Sequence, residues 1–266
     1  MEKSKLMEML KSNPNAIVYI NNPPDELKIL AVKNNGLTLK YIENPTREMQ
    51  ELALENNGGA IQFIDNPTEE MMLKAVHASW VNLEYLKNPS DELIKSALKQ
   101  AGWAIKYVKN PSEELQLLAV RKNYDAIKFI SEPCERVQEE AVRISYDALR
   151  YIKSPSSNTE LIAIKNNERA VTFINDLDKD KILAFLQVNS LVLNYVMKEL
   201  SKEDCEQVLK DVLSREDVDE KYVRDFLNCS SDKDSGLMPG DKMMFIYNYG
   251  SNKAKKIAVD EKLKML

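Results

Sequence analysis

Seven prolines stand 22 residues apart without a slip: Pro23, Pro45, Pro67, Pro89, Pro111, Pro133 and Pro155. A fixed period of this length marks a tandem array whose units bury their apolar faces against one another. Numbering each unit from its proline as position zero turns the chain into columns. Position 8 is always alanine: Ala31, Ala53, Ala75, Ala97, Ala119, Ala141 and Ala163. Position 9 is always aliphatic, from Val32 to Ile164, as are position 16 (Leu39 to Val171) and position 19 (Ile42 to Ile174). Position 18 is always aromatic: Tyr41, Phe63, Tyr85, Tyr107, Phe129, Tyr151 and Phe173.

Apolar residues at positions 4, 8 and 9 fit one stripe of a short α-helix. Those at 15, 16, 18 and 19 form a second, shorter stripe, α or 3₁₀. The proline ends one element and launches the next. Thr46, Thr68, Ser90, Ser112 and Ser156 follow it directly, where a hydroxyl can cap the helix, with acidic residues behind them at the positive end of its dipole. Small or Asn residues at position 12, and Gly36, Gly58 and Gly102 at 13, read as the tight turn between the two helices. The constant alanine fits a close helix crossing, and the aromatics Tyr41, Tyr85, Tyr107 and Tyr151 read as core between adjacent repeats. The predicted fold is all-α: a right-handed α-solenoid of about eight 22-residue two-helix repeats with helical caps.

The array outruns its prolines. Residues 15–20 match the second half of a repeat, so residues 1–12 are expected as a capping helix. Leu177 replaces the eighth proline while Phe185, Leu186, Leu193, Tyr195 and Val196 keep the register. The expected organisation is therefore a cap at 1–12, a solenoid at 13–196 and a helical capping segment at 197–266. Within the last, 201–213 and 214–226 read as amphipathic helices opened by Ser201 and Ser214. A polar loop at 229–241, an apolar run at 243–249 and a Lys-rich helix at 253–266 follow.

Chemistry-bearing motifs are sparse. His77 is the only histidine and lies in the mainly charged position-10 column, which reads as solvent-facing. Asp232-Lys-Asp234-Ser-Gly236 opens like a calcium loop but has Gly at position five and Met243 where a bidentate Glu belongs. The Asp176-x-Asp178-x-Asp180 run has Lys181 where such a loop needs Gly. The seven glycines make neither a P-loop nor a dinucleotide fingerprint. No catalytic, cofactor-binding or metal-binding residue is assigned. The chain is 44% apolar and 30% charged with net charge −5, which favours solubility over bulk attraction to nucleic acid. Three dispersed cysteines and no apolar run of membrane-spanning length point to the cytoplasm.

Recognition is expected where the columns vary. Positions 13 and 14 read Trp80-Val81, Gly102-Trp103, Tyr124-Asp125 and Tyr146-Asp147 in repeats three to six. One helical turn earlier lie Lys99, Arg121 and Arg143 at position 10, expected beside Trp103, Tyr124 and Tyr146. Aromatics next to arginines are hot-spot chemistry. The candidate partner-binding residues are thus Trp80, Lys99, Trp103, Arg121, Tyr124, Asp125, Arg143, Tyr146 and Asp147.

The units AVKNNGLTLKYI (31–42) and ALKQAGWAIKYV (97–108) resemble a bacterial and phage tandem-repeat family of uncharacterised function, with units of the form A-V-x-x-N-G-x-A-L-x-Y. The likeness covers 13 to about 196. It implies an α-solenoid and a bacterial or phage source, and brings no catalytic residue. The leucine-rich-variant repeat is a more distant architectural analogue. The expected function is a non-enzymatic protein-binding module: an adaptor, scaffold or inhibitor of a larger bacterial or phage complex. The alternative is a binder of nucleotides or nucleic acid through the basic and aromatic ridge of repeats three to seven.

Overall fold

Each of the seven proline-led periods becomes the same two pieces: a ten-residue α-helix at positions 2–11 and a six-residue 3₁₀ helix at positions 13–18. The computed structural model describes residues 3–195, 200–229 and 237–264. Val196 and the calcium-like run at 232–236 lie outside the described residues. Among those described, the secondary structure is helical and includes no strand. The molecule is an all-α repeat protein of the solenoid type. The described chain divides into two units, at Glu132 and Pro133.

The first unit opens with α1 (Lys3–Ser12) and a 3₁₀ helix at Pro14–Tyr19. Five repeats follow, with α-helices α2 (Asp25–Asn34), α3 (Arg47–Asn56), α4 (Glu69–Ala78), α5 (Asp91–Gln100) and α6 (Glu113–Lys122). Their 3₁₀ partners run from Gly36–Tyr41 to Tyr124–Phe129. Successive α-helices pack side by side, as do successive 3₁₀ helices, giving an α layer and a 3₁₀ layer with the core between them. At the start, Leu10 of α1 is buried with Ala16, Ile17, Leu27 and Ala31.

The second unit holds three repeats: α7 (Glu135–Ile144), α8 (Ser157–Asn166) and α9 (Lys179–Val188), each followed by a 3₁₀ helix, the last at Ser190–Asn194. The repeat that lacks a proline keeps the pattern, with Asp178 capping the Lys181 amide and Phe185 buried in the alanine column. Then come α10 (Lys202–Leu213), α11 (Glu220–Asn228), α12 (Lys242–Tyr249) and α13 (Asn252–Leu263). Helix α10 packs on α9, and α11 packs on the 3₁₀ helix beside it. The buried Tyr222 hydroxyl donates to the Leu186 carbonyl (2.9 Å). Ser201 caps α10 as expected, but Ser214 opens no helix. It ends α10, its amide donating to the Lys210 carbonyl, and α11 begins at the Asp219 cap instead.

Local chemistry explains the joints. Thr46, Thr68, Ser90, Ser112 and Ser156 each accept from the backbone amide three residues on, satisfying a first-turn donor. The residue before the proline takes a left-handed conformation at Asn22, Asn44, Asn88 and Asn110 (φ 45–53°), where asparagine is better tolerated than most residues. Gly36 and Gly102 do not share that role. A Cβ on either would stand 2.2 Å from the carbonyl oxygen of Ala53 or Ala119 in the next repeat. The turn expected at these glycines is instead a close approach between repeats.

The constant alanines are fully buried, as the crossing argument requires. The position-18 aromatics are not core. Tyr41, Tyr85 and Phe129 are 40–41% exposed, and Tyr151 is 36% exposed. A 3₁₀ helix has three residues per turn, so positions 16 and 19 stack on one row, and that row is the buried one. Position 18 shares its row with the small buried position 15 but sits at the rim of the layer. Its ring therefore lies half out of the surface.

Candidate functional site

The rims of the 3₁₀ layer carry aromatic rings paired with cations, built the same way in each unit. In the first unit Trp80 begins the 3₁₀ helix at Trp80–Tyr85, and its ring lies 6.2 Å from that of Tyr107 one repeat later. The Lys106 ammonium stands 4.5 Å from the Tyr107 centroid and 5.5 Å from that of Trp80. Trp103, 38% exposed, donates its indole N–H to Asp125 Oδ1 (2.8 Å) across a repeat. Lys128 Nζ reaches Asp125 Oδ2 (2.8 Å) and lies 5.1 Å from the Phe129 centroid. Partial burial pushes the Asp125 carboxyl up, but the bonds from Lys128 and Trp103 outweigh it and hold the group below its usual range. Such cation–ring contacts contribute about 0.5–1 kcal/mol at exposed sites.

In the second unit Tyr146 stacks on Phe173 (6.1 Å, 17° between planes), and the Arg150 guanidinium lies 4.6 Å from the Phe173 centroid. Arg150 also pairs with Asp147 (3.4 Å). Here too an aromatic at position 13 of one repeat meets the position-18 ring of the next.

The predicted ridge therefore comes apart into two surfaces. Trp80, Trp103, Tyr124, Asp125, Tyr146 and Asp147 all lie on the 3₁₀ helices, not in the turn between helices where positions 13 and 14 were expected. Their cations, however, come from position 17: Lys106, Lys128 and Arg150. Lys99 and Arg121 instead line a groove made by α5 and α6 alone, which includes neither Trp103 nor Tyr124. Arg143 is held on its own helix by Glu139 (2.7 Å). The expectation that position 10 neighbours the aromatics fails because position 10 lies on the last turn of the α-helix, and the extended residue at position 12 then turns the chain into the other layer. The missed column was legible in principle: Lys40, Lys106, Lys128 and Arg150 each directly precede an aromatic.

A second feature the columns did not reveal is an amide ladder joining repeats. Asn56 donates to the Lys33 carbonyl (2.9 Å) and accepts from the Gly36 amide (2.8 Å). Gln100 does the same for Val76 and Trp80 (2.7 and 3.1 Å). These side chains satisfy backbone groups left over at the α-to-3₁₀ switch. They fix the register of each 3₁₀ helix, and so the placement of its first aromatic.

Comparison with known proteins finds no matching family, no matching curated protein and no matching solved structure. Among the described residues no group of three His, Cys, Asp or Glu side chains could hold a metal ion, and no helix is long and apolar enough to cross a membrane.

Proposed function

We propose that this chain is a non-catalytic protein-binding repeat module that engages its partner through the rim of the 3₁₀ layer. The observation that carries the reading is the half-exposed aromatic set. Tyr85, Trp103 and Phe129 recur along the rim of the first unit at 38–41% exposure, where neither core packing nor solubility requires rings. Half-exposed large rings are hot-spot chemistry, and here Phe129 lies against Lys128 while Trp103 and Lys128 share the Asp125 carboxylate. Rings recurring from repeat to repeat suit a partner with an extended surface.

Three points support binding over catalysis. His77 is exposed on the last turn of α4. Cys205 is fully buried, and burial pushes its thiol up to about 11, far from a reactive thiolate. Asp204, held below its usual range beside Lys179, belongs to a surface ion pair, and the buried Tyr222 hydroxyl, pushed up by desolvation, is taken up by the Leu186 carbonyl. A nucleic-acid ligand is less well served, because Lys106 and Lys128 already lie against the ring faces that bases would stack on, and the net charge is −5.

The test is affinity capture from the native cell with the intact chain and with Trp103→Ala and Tyr124→Ala, read by quantitative mass spectrometry. A partner enriched by the wild type and lost with both variants, while each variant still folds and melts cooperatively, is the expected result. Variants that capture every wild-type partner in full overturn the assignment of the site.

A further inference from the structure

The α layer of the first unit holds a groove that the 3₁₀-rim reading does not use. It lies between α5 and α6 and has a volume of about 550 Å³. Its apolar floor comes from Leu98, which is buried, and Leu118, which is half-buried. Its polar lining is Lys95, Lys99, Arg121 and Lys122 against a single carboxylate, Glu114. That carboxylate is committed to Lys95 (2.7 Å). Lys99 and Lys122 are exposed and have no ion-pair partner among the described residues.

Charge at this place varies from junction to junction. The equivalent positions between α3 and α4 hold Glu51, Glu55 and Glu70 with Lys74, and Lys74 pairs with Glu55 (3.0 Å). The same surface thus changes from acidic to basic two repeats along, while the core columns beneath stay constant. Core packing does not require that change.

We propose that the α5–α6 groove binds a short acidic peptide segment of a partner protein, with a leucine-sized side chain seated on Leu98 and Leu118. Acidic residues flanking that side chain pair with Lys99 and Lys122. A peptide fits better than a nucleic acid for two reasons. The floor is aliphatic, with no ring on which a base could stack. The acidic α3–α4 surface would also repel a phosphate backbone continuing along the layer. The site is independent of the 3₁₀ rim, so either can fail without the other.

The experiment is fluorescence anisotropy with the full chain. The probes are labelled 12-residue peptides in which Asp or Glu flank a Leu-x-x-Leu core, their Leu→Ser counterparts, and a single-stranded oligonucleotide. The acidic leucine peptides should bind the wild type and the Trp103→Ala variant equally. Binding should weaken at least tenfold with Leu→Ser peptides, and at least tenfold in Lys99→Gln/Lys122→Gln, which removes both cations without setting a carboxylate at either helix C-terminus. It should also weaken as salt rises. The proposal is overturned if no acidic leucine peptide binds, if the double variant binds equally, or if Leu→Ser peptides bind as tightly. Preference for the oligonucleotide, lost in the double variant, would overturn it in favour of nucleic acid.

Discussion

At the scale of single residues, the tightest constraint is the approach of one repeat to the next. The methyl of each constant alanine is fully buried, and the carbonyls of Ala53 and Ala119 face Gly36 and Gly102 of the preceding repeat. Ala97→Leu or Ala119→Leu should therefore cost about 1–3 kcal/mol by overpacking, measured by urea unfolding. Gly102→Ala should fall in the same range, whereas Gly240→Ala, whose Cβ would meet nothing within 4 Å, should not change stability. Neutral behaviour of the alanine and Gly102 variants together would contradict close packing. Asp125 supplies a second residue-level test. Its carboxyl is held below its usual range in the folded state, so its bonds to Trp103 and Lys128 contribute fully above the unfolded value, about pH 4, and are lost as pH falls through the lower folded value. In a Trp80→Phe background, Trp103 emission should stay flat from neutral pH down to about pH 4 and shift below it. Asp125→Asn should abolish that acid shift.

At the scale of elements, the period made most of the fold legible. Capping hydroxyls, prolines and the alanine column each specify a local geometry, and together they place both helices of every repeat. The 3₁₀ form of the second helix and the outward turn of its aromatics were harder to read. An aromatic ring is equally apolar at a core position and at a rim, so column chemistry cannot separate the two. Lys99 and Trp103 are four residues apart in sequence, a spacing that joins side chains only within one helix. The extended residue Ala101 lies between them and sends each to a different layer. Beyond the repeats, Ser214 has the identity of a cap but ends a helix, because α10 runs on to Leu213 before turning. The C-terminal helices pack on the last repeat, with α10 on α9 and the Tyr222 hydroxyl on the Leu186 carbonyl. Deleting 201–266 should expose the apolar face beneath, lowering the melting temperature or causing aggregation, seen by calorimetry and light scattering. A truncated chain that stays monomeric and equally stable would show that these helices do not cap the stack.

For the whole molecule, repetition supplies the scaffold and the departures from repetition supply the specificity. The core columns repeat, whereas the 3₁₀ rim changes from Gly36-Leu37 to Trp80-Val81 to Tyr124-Asp125. A rim hot spot predicts that Trp103→Ala costs the captured partner about 2 kcal/mol or more of binding energy at little loss of fold. Charge reversal at Arg121 and Arg143, away from the rim rings, should act mainly on association rate and fade at high salt. The most direct test of the rim as the docking surface is hydroxyl-radical footprinting of the chain, free and with its captured partner, followed at Tyr85, Trp103 and Phe129. These half-exposed rings should oxidise readily in the free protein and become protected in the complex, while His77 on the α layer stays equally reactive. Unchanged oxidation of all three rings in a complex that demonstrably forms would contradict the account.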